Sequence, residues 1–169
     1  MRSAAAFAAI LISIAVQTTI ARYVFRDSSA AIDLVLIVVV YVAIKSGPVT
    51  GVLAGTVAGL IQDALSSGII GIAGLAKTMV GFLSGLLGAQ FIVTAPLPRF
   101  LLVVVATALH EGIVIGLNML LNLRQYPAPY SAVIGQAFGN AFVGVVAFQM
   151  IEWIPGFVDR RRAGRFLKR

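Results

Sequence analysis

Apolar residues dominate six stretches of the chain, and polar or charged residues fall between them. The stretches run over residues 4–20, 31–44, 48–65, 69–93, 97–123 and 130–154. Each of the longer ones has the length of a membrane-crossing helix, roughly 20 residues. The second is short and lies between Asp33 and Lys45. Pro48 suits the first turn of a helix, where its missing N–H costs nothing. Pro96 and Pro98, then Pro127 and Pro129, mark breaks between stretches. The first stretch is long for a signal-peptide apolar region and lacks a clear small-residue cleavage site, so it is read as a span.

Composition agrees. Of 169 residues, 60% are hydrophobic and 11% charged, against about 25% charged in soluble domains, and the mean hydropathy is +1.01. A soluble fold of this size could not bury so much apolar surface. The class is an all-α integral membrane protein of six transmembrane helices. Soluble enzymes, nucleic-acid modules and disordered proteins are excluded. The chain has no cysteine, hence no disulfide or thiolate metal site. Six spans leave no room for a second domain: residues 1–158 form the membrane domain and 159–169 a basic tail. The net charge of +7 is concentrated there, with six of thirteen basic residues in the last ten positions.

Basic residues also orient the chain. With the tail in the cytoplasm, six spans put the N-terminus there too. Arg2, Lys45, Arg99 and the tail then lie inside, and Arg22, Arg26 and Arg124 outside.

Gly47, Gly51, Gly55 and Gly59 recur every four residues, and Asp63 continues the register. Positions four apart share a helix face, so the third span carries a glycine stripe ending in a carboxylate. Gly81 and Gly85 form a second pair, and Gly135 and Gly139 a third. Such faces let helix backbones approach closely in lipid, either within the bundle or against another protein's helix. Charged groups at membrane depth need partners. In the inferred topology Asp63, Lys77 and Glu111 lie at related depths, which makes Lys77 the expected partner of Asp63 or Glu111. Asn118, Asn122, Gln136 and Asn140 fall in the outer half of the last two spans. They are expected either to hydrogen-bond between helices or to line a polar cavity. His110 is the only histidine and is expected to pack or hydrogen-bond rather than bind metal. There is no HExxH and no GxxxxGK[ST] motif, so no catalytic site, cofactor or metal is expected.

The run Asp33-Leu34-Val35-Leu36, then Lys45-Ser46-Gly47-Pro48-Val49-Thr50-Gly51, Gly55, Gly59-Leu60-Ile61-Gln62-Asp63, Gly71, Leu75-Ala76-Lys77-Thr78 and Gly81-Phe82, resembles the MreD family of rod shape-determining proteins. The match covers about residues 30–90. It departs at Ile32 and at Ile69 and Ile70, where many relatives have proline. The resemblance implies a non-enzymatic component of the cell-elongation machinery in the bacterial inner membrane, acting in cell-wall organization. Its implied partner is the single-span protein MreC, in an assembly with MreB and with RodA and its penicillin-binding partner. The family is similar in fold to the S components of energy-coupling-factor transporters, which implies an S-component-like helical bundle. A substrate-binding S-component-type subunit is therefore the alternative function. S components dock through an Ala-xxx-Ala face on the first span, and Ala4/Ala8 and Ala5/Ala9 match that spacing.

Overall fold

The computed structural model describes residues 3–23, 32–65, 69–91, 95–122 and 130–166, with side chains from 6–19, 32–65, 69–91, 95–122 and 131–153. The described residues form six helices: α1 (Ser3–Tyr23), α2 (Leu34–Ser46), α3 (Pro48–Leu65), α4 (Ile72–Gln90), α5 (Pro96–Leu120) and α6 (Tyr130–Phe166). Among the described residues, four segments are long and apolar enough to cross a membrane: Pro48–Leu65, Ile72–Gln90, Pro96–Leu120 and Ser131–Trp153.

The second helix differs from a full span. Its 13 residues rise about 20 Å, short of the ~30 Å hydrocarbon core. It is apolar all round, the pattern of a helix enclosed by others. It packs against each of the other five helices. Val35, Val39 and Val42 join Ala6, Ile10 and Ile14 of α1 and Ala54 and Ala58 of α3 in one apolar cluster. On the opposite side Leu36, Ile37 and Val40 pack with Val80, Val103, Ala106, Ala141 and Phe148. Thus α2 is the centre of the bundle. The lipid-facing surface is carried by side chains such as Leu53, Phe82, Leu101 and Phe142, all exposed and apolar.

A single residue, Gly47, separates α2 from α3. Its φ of +89° is a left-handed conformation that glycine adopts without a Cβ clash, and Pro48 starts the next helix at once. The α3–α4 hairpin is the closest helix pair. A Cβ added at Gly51, Gly55 or Gly59 would fall within 3 Å of Gly81, Lys77 or Gly74, respectively, and most of the atoms met are backbone. Gly85 lies against Gly47 and Pro48, and Gly88 against Ile44. Thr56 and Thr78 join hydroxyls across this contact at 2.8 Å. The stripe Gly51–Gly59 and the pair Gly81/Gly85 therefore face each other's helices, and no part of that stripe is left as a docking face for another protein.

At one end of the bundle Glu152 of α6 binds Lys45 of α2 at 2.6 Å and Arg99 of α5 at 2.8 Å. The ring of Tyr41 packs on that of Phe148, centroids 4.9 Å apart. From the same end α6 continues as helix to Phe166. The basic tail, 159–169, falls in this extension: its side chains and all of residues 167–169 lie outside the described residues, as do Arg2, Arg26, Arg124 and the side chain of Arg22.

Candidate functional site: a buried polar network

Because α2 is short, its N-terminus ends inside the bundle rather than at a membrane surface. The first N–H groups of a helix have no intrahelical acceptor, and at membrane depth no water supplies one. Side chains from three sources do. Asp33 is the N-cap residue, and its Oδ1 accepts from Leu36 N–H at 3.0 Å. Gln17 of α1 accepts from Val35 N–H at 3.1 Å. Asn140 of α6 accepts from Asp33 N–H at 2.8 Å.

The second carboxylate oxygen of Asp33 holds Lys77 of α4, with Nζ 2.6 Å away. Lys77 is 1% exposed and Asp33 5%, so each charge needs the other. Lys77 also donates to His110 Nε2 of α5 at 3.1 Å. An ammonium is only a donor, so toward Lys77 the ring's Nε2 is the acceptor, which assigns the ring proton to Nδ1. That proton points to Glu111 Oε1 at 3.2 Å. Gln136 of α6 donates to the same oxygen at 3.2 Å. Asn140 closes the network by donating to Thr107 of α5 at 3.2 Å; both are fully buried.

The pairing expected for Lys77 is corrected by this geometry. Its carboxylate is Asp33, not Asp63 or Glu111. Asp63 instead caps α4: its Oδ2 accepts from Gly71 N–H at 2.8 Å and Gly74 N–H at 3.0 Å. A carboxylate at a helix N-terminus satisfies orphan donors and meets the positive end of the helix dipole. Glu111 reaches Lys77 only through His110.

The four outer-half amides do not gather in one place. Asn140 and Gln136 belong to the network. Asn118 turns back on its own helix and donates to the Val114 carbonyl at 2.7 Å. Asn122 lies just past α5, exposed, with φ +52°. A cavity lined by all four is not what the structure forms. Among the described residues no group of His, Cys, Asp or Glu is placed to hold a metal ion.

Sequence reasoning passed over Asp33, Gln17, Thr107 and Glu152 as partners. For Asp33 the signal was present: an aspartate directly before a β-branched apolar run has the form of an N-cap.

These features define an all-helical integral membrane protein whose polar groups are turned inward to bind its own helices together. A family model described as rod shape-determining protein MreD matches residues 1–158. The chain belongs to the MreD family and is a membrane protein of rod-shape determination. No curated protein and no solved structure matches it.

Proposed function

We propose that the chain is a non-catalytic scaffold of the elongation machinery, which binds MreC within the bilayer and supports lateral peptidoglycan synthesis. Its wider partners in this reading are MreB and RodA with its penicillin-binding partner. The observation that carries the scaffold reading is the use of the polar side chains. Asp33, Lys77, His110, Asn140, Gln136 and Asp63 each bind another part of the chain, so the chemistry at the centre fixes helix positions. The outward surface carries many large apolar side chains, Leu53, Phe82, Leu101 and Phe142 among them, which suit neighbouring helices and lipid. Capture of MreC by the tagged chain from detergent-solubilised membranes, with loss of rod shape on depletion, is the expected result. Failure to capture MreC refutes the partner.

Both termini are placed in the cytoplasm, in the inner membrane. The joining of Lys45 and Arg99 by Glu152 at the end from which α6 runs into the basic tail supports a common side for all three. A reporter fused after Arg169 should be cytoplasmic.

The transporter-subunit alternative rests on the similarity in fold between the family and S components, to which the alanine spacing of the first span adds a match. It predicts a small molecule retained through purification, whereas the scaffold predicts none.

A further inference from the structure

Among the described residues Glu111 is a carboxylate of the network with no lysine or arginine in ion-pair contact. Its partners are the His110 ring and the Gln136 amide. Among the described residues its Oε2 accepts no hydrogen bond. Its side chain is 19% exposed. With Asp33 and Lys77 cancelling each other, the formal charge left in the network is that of Glu111. A carboxylate at membrane depth calls for a positive partner, and Lys77 is already taken by Asp33.

Glu111 borders an open face of α5. Ala108, Gly112 and Gly116 are exposed, and a Cβ built at Gly112 or Gly116 meets nothing within 4 Å. This contrasts with Gly51, Gly55, Gly59, Gly81 and Gly85, all of which are covered. Val105 and Met119 extend the face with exposed apolar side chains. No residue of α5 beyond His110 is buried.

We infer that this face of α5 receives the transmembrane helix of another protein, one that presents a lysine or arginine at the depth of Glu111. Depth selects a helix over a lipid amine: Glu111 lies nine residues before the end of α5, about 14 Å below it, beyond the reach of a headgroup at the surface. Charge selects a different protein over a second copy, because a symmetric α5–α5 contact would set Glu111 against Glu111. Gly112 and Gly116 let the incoming backbone come close enough for a short contact. The inference deepens the proposed binding of MreC only in naming its contact face.

The full chain, in phosphatidylcholine vesicles, is tested for energy transfer to two synthetic transmembrane helices of leucine, one with a single central lysine and one without. The lysine helix should bind about tenfold more tightly. Glu111→Gln should abolish that preference, and Gly116→Leu should weaken binding, although it meets no neighbour in the folded chain. Equal binding of the two helices, or a preference that survives Glu111→Gln, overturns the inference. Capture of MreC separates the two readings. If the unaltered chain captures MreC and both variants capture it equally, the α5 face is wrong and the partner stands. If the unaltered chain captures none, the partner is wrong and the synthetic helices alone decide the face.

Discussion

Replacing Lys77 by methionine removes the central charge while keeping much of the side chain's length. Asp33 Oδ2 loses a donor at 2.6 Å and His110 Nε2 one at 3.1 Å. With Asp33 5% exposed, the abandoned carboxylate has no water to turn to. Breaking one side of a buried pair costs about 3–5 kcal/mol. Asp33→Asn is the complementary change. It retains an oxygen for the Leu36 N–H, and asparagine is as good an N-cap as aspartate, so it isolates the ion pair from the cap. The double variant leaves neither charge stranded. It should be more stable than the sum of the single losses implies, by about 1–3 kcal/mol of coupling. The assay is a double-mutant cycle of unfolding free energies in mixed micelles. Lys77→Met combined with Asp63→Asn or with Glu111→Gln gives the reference cycles. Lys77→Met and Asp63→Asn should add to within about 0.5 kcal/mol, while Glu111→Gln should couple weakly through His110. Additivity between positions 33 and 77, or stronger coupling of Lys77 to Asp63, would refute the assignment.

Asp63→Ala should destabilise the chain by about 1–2 kcal/mol, since it removes the acceptor of two amide donors at the start of α4; accelerated exchange of the Gly71 and Gly74 amides would locate the loss. Gly55→Leu should prevent a stable fold, because even its Cβ would sit on the Lys77 backbone, while Gly112→Leu should leave the melting temperature unchanged; equal effects in a thermal gel-filtration assay would contradict the difference in packing. Glu152→Gln should cost about 1–3 kcal/mol, because Arg99 is 3% exposed and loses its carboxylate, and Lys45→Met should cost less, Lys45 being exposed; the reverse order in the same assay would show that Arg99 does not depend on Glu152.

The helix starts and the glycine register were legible because both depend on local spacing: Pro48 opens α3, and the four-residue repeat makes one face. The depth of Asp63 was also legible, but not its partner. A carboxylate at the end of one helix and the free N–H groups of the next are joined by a turn whose shape the pattern does not specify. Asp33 was hidden for a different reason. As a charge flanking an apolar stretch it reads as a residue at the membrane surface, where it needs no partner. Thirteen residues of α2, counted back from Lys45, stop about 10 Å short of the far side of the hydrocarbon core. That arithmetic places Asp33 at depth and makes it available to Lys77. The open face on α5 could not be told from the covered stripe on α3, since Gly112/Gly116 and Gly51/Gly55 have the same spacing and differ only in what lies opposite.

The length of α2 also explains how the bundle can be exact without being large. Asn140 binds the backbone at Asp33, and Glu152 binds the side chain of Lys45. Both contacts join residues 107 apart in sequence, so twelve residues of α2 lie beside twelve of α6, running in the same direction. Equal counts give equal rise, about 18 Å on each helix. Ala137, Asn140, Ala141, Gly144 and Phe148 are the buried positions of α6 over this stretch, and Gly144 lies against Val103 and Ile37. A slip of one residue would move α6 by 1.5 Å and turn it by about 100°, taking Asn140 and Glu152 away from α2 together. Apolar packing alone tolerates such slips in lipid, where one aliphatic contact is much like another. Two polar contacts at matched spacing do not. They fix α6 to the central helix, and with it α5, whose Thr107 and Arg99 hold the same two residues. The outward faces of these helices are thereby held in place for whatever binds them.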